Sequence, residues 1–443
     1  MRSYIFLGAA ALAAASPALT GLDFAAIEHA PAPTGPAVGI AIEQSVYDPS
    51  TAASEAEEAA SDDASRSVQR RSLVERTFCW FDKRYCPVSH PGHQNDYKPH
   101  PNPFPPEQGK PHHPPAATST RCAKSTSTTS ATLTTTSASS ASHVVPSSCT
   151  PISWTNTFAF TSDTACPTPY EVGTYCGFIN PDDPCALQPG GFGPVSSPDT
   201  VQAFLNNADL HKMAKSASDP RGYKNTFKDL SAAVNANTYL GYRILETYDV
   251  QACADWCDDT DLCTSFNVFI ERDPKWNPYK CSCEQPDSIT NFKCSLWGSG
   301  VDAKAAVNDG QYRGDFEVRI VGSNGYQKTD ETVPKTPDEC ENPQKCPAAH
   351  DHSSTCIGEH FFPGPFDVAV CAKYALAYNK QVSKRKQCKF FNAFMIKENF
   401  VAKGTYCKLF TKEYSAKFAT WVPGWYKNKW YSIESSWSYS LRS

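Results

Sequence analysis

The chain has 443 residues, 41 Lys and Arg against 46 Asp and Glu for a formal net charge of -5, and 19 cysteines. That balance offers no general basic surface for neutralising phosphates, so nucleic acid is not expected as a partner. Pro, Ser and Thr crowd the first third, which places the core-forming mass after about residue 150.

Residues 1–16 carry Arg2, an apolar run from Tyr4 to Ala15 and small residues up to Ser16, the pattern of a secretory signal peptide. No later stretch approaches the roughly 18 uncharged apolar residues of a spanning helix, so an extracellular chain without a membrane span is expected, with cell-wall association open. Residues 17–71 are rich in Ala, Ser, Pro and acids and close on Gln69-Arg70-Arg71-Ser72. They read as a disordered acidic pro-segment ending at a dibasic processing site, Arg70 and Arg71; the alternative is an acidic linker that happens to hold two arginines.

Residues 72–149 read as a disordered stalk. Cys79, Cys86, His90, His93, His100, His112 and His113 lie among prolines that resist helix and sheet. Imidazoles on a tether suit Zn or Cu, but this spacing matches no compact four-ligand site, so neither a metal nor a cofactor is assigned. The Ser/Thr/Ala run at 118–148 has the composition of an O-glycosylated spacer. No Asn-x-Ser/Thr sequon occurs anywhere. Next come Cys149, Cys166, Cys176 and the loop Cys185–Gly193. A helix is predicted after Ser197-Pro198, with Pro198 in its first turn and Val201, Phe204, Leu205 and Ala208 on one side.

The most structured stretch starts at Tyr248-Asp249, where Asp249 is suited to cap a helix that carries Cys253 and Cys257 on one face. The phenylalanine-rich run after Cys263 reads as a buried strand, and Cys294 follows in another. About 120 residues later the pattern returns. Phe366-Asp-Val-Ala-Val-Cys371 repeats Tyr248-Asp-Val-Gln-Ala-Cys253, Cys388-Lys-Phe-Phe-Asn repeats Cys263-Thr-Ser-Phe-Asn, and Cys407-Lys-Leu-Phe repeats Cys294-Ser-Leu-Trp. Each copy ends on an alternating strand, Phe316, Val318 and Ile320 in the first, Trp437, Tyr439 and Leu441 in the second. Two copies of one α+β unit are therefore expected, an antiparallel sheet packed on one helix, over residues 150–330 (with a Cys-rich N-terminal extension) and 331–443.

In an exported chain these cysteines read as a disulfide framework. Because Cys253 and Cys294 recur as Cys371 and Cys407 while Cys257 becomes Ala375, the repeat predicts Cys253–Cys294 and Cys371–Cys407 bridges, with Cys257 pairing Cys263. Cys388 then needs another partner, and Cys356 is near in sequence. The odd count leaves at least one cysteine over, for an intermolecular disulfide or a buried free thiol.

This cysteine pattern and strand order resemble the PAN/apple family. Residues from about 150 onward also resemble a family of secreted fungal proteins of unknown function, through Thr174-Tyr-Cys-Gly-Phe-Ile-Asn-Pro181, Asn237-Thr-Tyr-Leu-Gly241, Phe269-Ile-Glu-Arg-Asp-Pro274, Thr290-Asn-Phe-Lys-Cys294 and Phe361-Phe-Pro-Gly-Pro-Phe366. The second copy departs at Ala375 and in an inserted loop, Asn379 to Gln387. The resemblance implies tandem disulfide-stapled modules that bind proteins or carbohydrates without catalytic machinery, and it transfers no binding residue.

The residues themselves offer little chemistry. Asn267 and Asn392 hold the same mid-strand place and read as structural hydrogen-bonders. Glu271 and Asp273 sit at a strand end, where acids are ordinarily solvated; a glycosidase pair would need a cleft. His350, His352, Cys356 and His360 cluster in sequence, but an exported Cys356 is expected to be bridged. Lysines gather in the second copy, including Lys384-Arg385-Lys386, with Trp425 and Trp430 suited to stack on sugar rings. The bland alternative is a solvated lysine face over an aromatic core. The expectation is a non-enzymatic binding or adhesion protein for an extracellular or cell-wall glycan or protein. A purely structural wall component and an enzyme with an unrecognised site are the alternatives.

Overall fold

The computed structural model describes residues 22–33, 42–43, 47–64, 174–175, 178–179, 184–329 and 333–442. The expected signal peptide, Arg70 and Arg71, the His-rich and Ser/Thr-rich stretches, and Cys166 and Cys176 lie outside them.

The architecture is α+β with antiparallel sheets, and the repeat is visible in its topology. The first sheet is built from β1 (Tyr223–Leu230), β2 (Tyr239–Leu245), β3 (Ser265–Pro274), β4 (Ser288–Trp297) and β5 (Arg319–Lys328). The second uses β6 (Cys340–Lys345), β7 (Cys356–Pro363), β8 (Phe390–Glu398), β9 (Val401–Phe410) and β10 (Lys429–Leu441). Their spatial orders, β2-β4-β3-β5-β1 and β7-β9-β8-β10-β6, are the same arrangement. Between the second and third strand of each runs a helix, Val250–Asp258 or Val368–Gln381. Asp249 caps the first by accepting from the Ala252 amide at 2.9 Å, and Asp367 caps the second by accepting from Ala369 at 2.8 Å.

Strand alternation sends Phe266, Val268 and Ile270 of β3 toward the first helix and Phe391, Ala393 and Met395 of β8 toward the second. Disulfides close both interfaces at the same place: Cys253 to Cys294 and Cys371 to Cys407, spanning 41 and 36 residues. Cys257 bridges Cys263, and Cys185 bridges Cys283 beneath the loop that precedes the first module. Cys340, Cys346, Cys356 and Cys388 are unbridged, which corrects the expectation for Cys356. Asn267 and Asn392 make matching bonds. Asn267 accepts from the Val234 amide and donates to Ser323 and the Asn324 carbonyl; Asn392 accepts from the His350 amide and donates to Ser436 and the Trp437 carbonyl.

Two expectations are corrected. The helix predicted after Pro198 is two helices, Val201–Leu205 and Ala208–Ser216. Thr200 caps the first, leaving Pro198 ahead of it, and the Asn207 side chain intercepts the amides of Asp209 and Leu210 to start the second. The larger correction concerns residues 17–71, whose described parts are ordered against both modules. A helix over 49–64 places Ala52, Ala56, Ala59, Ala60 and Ala64 on one face, in one cluster with Val370, Tyr374 and Ala377 of the second-module helix. Small residues at helical spacing carry little hydrophobic signal, yet they let a second helix approach closely. Leu22, Phe24 and Ile27 are buried beside Phe394, Ile396 and Tyr406. Residues 42–43 add a short strand to the edge of β2.

The modules meet directly. Phe366 donates its amide to the Gly298 carbonyl at 2.9 Å, Asn237 to that of Ala402 at 3.2 Å, and Glu434 takes both the Gly300 amide and Lys397. The acids that cluster in sequence in the first module, Asp255, Asp258, Asp259 and Asp261, have no part in these contacts: Asp258 pairs with Lys328 and accepts from Tyr223 within its own module.

Candidate functional site

Trp425–Tyr426 and the start of β10 form a hairpin in which Trp425 faces Trp430 and Tyr426 faces Lys429. Lys427 takes the left-handed conformation at φ 53° that reverses the chain. Alternation then puts Trp425 and Tyr426 on opposite sides. Trp425 stands 65% exposed, with its ring edge-on to Trp430 at 5.6 Å. Tyr426 turns inward and stacks on Phe24 at 4.0 Å. The base is fixed by Asn399, which donates its amide to the Trp430 carbonyl at 2.7 Å and accepts from the Trp430 amide at 3.0 Å. Val422 and Phe418 are exposed on the approach to the hairpin. A rigid, apolar, outward-facing indole beside a second one is a surface that takes the flat face of a sugar ring or an apolar side chain.

The basic residues do not join this surface. Lys384, Arg385 and Lys386 form a 3-10 turn before β8, whereas Trp430 lies beyond its other end. Over the nine residues of β8, at about 3.3 Å each, that is roughly 26 Å. Other lysines of the run are already partnered: Lys397 with Glu434, Lys427 with Glu28, Lys429 with Glu398, and Lys408, only 1% exposed, with Asp351 and Glu359. The lysine-rich sequence therefore folds into ion pairs with acids distant in sequence. The Lys384–Lys386 turn is left as a separate exposed patch.

Glu271 and Asp273 are not solvated strand-end acids. With Lys293 they form a buried ion cluster on the outer face of the first sheet, Lys293 contacting Glu271 and lying 2.9 Å from Asp273. Asn291 donates to Asp273 at 2.7 Å, and the Pro/Gly loop lies over the cluster, the Gly191 amide donating to the Asn291 Oδ1. Burial, reinforced by Asp273, pushes the Glu271 carboxyl up. For Asp273 burial acts upward too, but Lys293 and the hydrogen bonds outweigh it and hold the group down. Two carboxyls pushed apart in this way resemble an acid/base pair. Each is less than a tenth exposed beneath the Pro/Gly loop.

His350 is fully buried, its Nδ1 3.2 Å from His352 Nε2 and its Nε2 3.7 Å from the Cys346 thiol. Burial, then His352, drives its pKa down to about 4, so it is neutral at ordinary pH. Burial also raises the Cys346 thiol, against a thiolate–imidazolium pair. Cys356 and His360 lie on β7. Among the described residues no three His, Cys, Asp or Glu side chains converge as a metal-ligand set.

Sequence reasoning passed over a groove of about 610 Å³ on the first module, lined by Phe192, Met213, Tyr248 and Phe292 with Glu246 and Asp249 at its edge. The exposed Phe192 on a Gly-rich loop was its only local signal. No described helix is long and apolar enough to cross a membrane. Comparison with protein-family models, curated proteins and solved structures returned no match.

Proposed function

We propose that this is a secreted, non-catalytic binding protein of two tandem PAN/apple-like modules that recognises an extracellular or cell-wall glycan through Trp425 and Trp430. The observation that carries the reading is Trp425: an indole held in the open on a hairpin anchored through Tyr426, Lys429 and Trp430. Exposed apolar side chains that gather in one patch mark interaction sites, and Trp425 stands near the exposed Val422 and Phe418 and beside Trp430. The duplicated sheet-on-helix topology and the resemblance in cysteine pattern support the module assignment, and the enclosed state of Glu271 and Asp273 supports a role without catalysis. Sugar stacking needs no charge, so binding through the hairpin is expected to be insensitive to salt, whereas an acidic ligand captured at Lys384–Lys386 would bind less tightly as salt rises.

A glycan array probed with the full chain, at low and high salt, tests this. Binding that Trp425→Ala abolishes and Lys384, Arg385 and Lys386→Ala leaves intact supports the reading. Glycan binding that survives Trp425→Ala moves the site to the first-module groove. A chain that binds nothing on the array fits a structural wall component.

A further inference from the structure

Residues 22–64, the leader, lie across three separate surfaces of the two-module body and carry no cysteine to bridge them to it. At its start Phe24 and Ile27 fill the outer face of the second sheet, Asp23 donates its amide to the Tyr406 hydroxyl at 2.8 Å, and Glu28 pairs with Lys427 at 3.1 Å. In the middle, the Pro31 carbonyl accepts from the Asn237 side chain at 2.6 Å and residues 42–43 pair with β2 of the first module. Tyr47 then reaches Asp367 at 2.8 Å and packs against the cores of both modules. The helix over 49–64 follows, with Asp63 accepting from the buried Tyr374 hydroxyl. These groups are spent on one another: capping carboxylates, sheet-edge amides and apolar faces that would otherwise meet water.

We propose that residues 22–64 are a permanent, non-covalently held subunit of the folded body, docked on a composite surface made by both modules, and that cutting the chain after them does not release them. The surface fits one occupant, a short helix over Phe24–Glu28, a two-residue strand at 42–43 and a helix with an alanine face over 49–64, which is this chain's own leader. No cysteine precedes Cys79, so after a cut at Arg70–Arg71, or anywhere before Cys79, only these contacts hold it. A processed protein would then be two chains, and its stable N-terminal piece would be part of the structure rather than a discarded pro-segment. The proposal does not depend on what the Trp425 hairpin binds.

The test uses the full chain with its disulfides intact and a specific protease site inserted between residues 66 and 78. After cutting, the leader fragment should co-elute with the body in size-exclusion chromatography at about 1 μM, the range of a stable interface. Ile27→Asp in the same protein should weaken retention about 100-fold, because it places a charge in the aromatic pocket. Ile27 belongs to the fragment, so the body's own sequence is unchanged. A parent fragment that elutes alone overturns the proposal. So does an Ile27→Asp fragment retained as tightly as the parent, since the docking would then not be the one in the structure.

Discussion

The two modules have one topology and two ways of closing it. Aligned on their central asparagines, β3 and β8 put Glu271 where the second module has Ile396, and β4 and β9 put Lys293 where it has Tyr406. The first module's outer face is thus an ion cluster, covered by the loop before it that Cys185–Cys283 pins down. The second module's is aromatic and aliphatic, covered by Leu22, Phe24 and Ile27 of the leader. The inner faces, by contrast, hold the same capped helix and the same disulfide. Here both sheets have both faces covered; the inner solution is built into the repeat, while each outer one is recruited from elsewhere in the chain.

The ion cluster gives the sharpest way to break this symmetry. Lys293→Met should destabilise the protein by about 3–5 kcal/mol at pH 7, because the ionised Asp273, packed against Glu271, loses its buried counter-charge. The deficit should shrink in urea melts near pH 4, where protonation removes the uncompensated charge. The signs follow from the shifts in the parent. Asp273, held down, stabilises above its ordinary value of 3.8 and loses that contribution as pH falls. Glu271, pushed up, contributes below its ordinary 4.5 and loses that as pH rises. A deficit that stays constant with pH would mean that lost packing, not charge, is the cause.

The disulfides sharpen the comparison in the other direction. Cys371→Ser with Cys407→Ser opens a 36-residue span and should cost about 4 kcal/mol by loop-closure entropy, measured by thermal or urea unfolding. Cys257→Ser with Cys263→Ser opens only a 6-residue span and should cost about 2 kcal/mol. The second module lacks that bridge but keeps the free, buried Cys388 in the same core cluster as Ala375. Ala375→Cys should therefore recreate it, seen as the loss of the Cys388 thiol in a thiol count under denaturing conditions, with a gain of up to about 2 kcal/mol. The smallest stability effect belongs to Trp425→Ala, within about 0.5 kcal/mol for an exposed side chain, and this is what separates lost binding from lost folding.

The inner half of each module was legible because its signals are local and duplicated. Asp249 and Asp367 precede their helices, and the cysteines recur at matched positions, so the repeat alone selects Cys253–Cys294 and Cys371–Cys407. The outer half was not. Glu271 and Asp273 read as solvated because Lys293 lies two strands' worth of sequence away, and the lysines of β8 to β10 read as a basic face because Glu434, Asp351 and Glu28 are distant. Ala52 to Ala64 show no hydrophobic period, since alanine contributes to helix packing by being small rather than by being apolar. Trp425 was singled out by residue type alone, and whether it faces outward depends on the left-handed turn at Lys427.

Amide hydrogen exchange on the intact chain, followed by mass spectrometry, tests most directly the claim that separate segments close the two outer faces. Peptides covering 24–30 and 185–193 should exchange slowly, with protection approaching that of β8 and β9. Exchange of 24–30 within seconds, while β3 and β8 stay protected, would contradict it and leave the outer face of the second sheet without its cover.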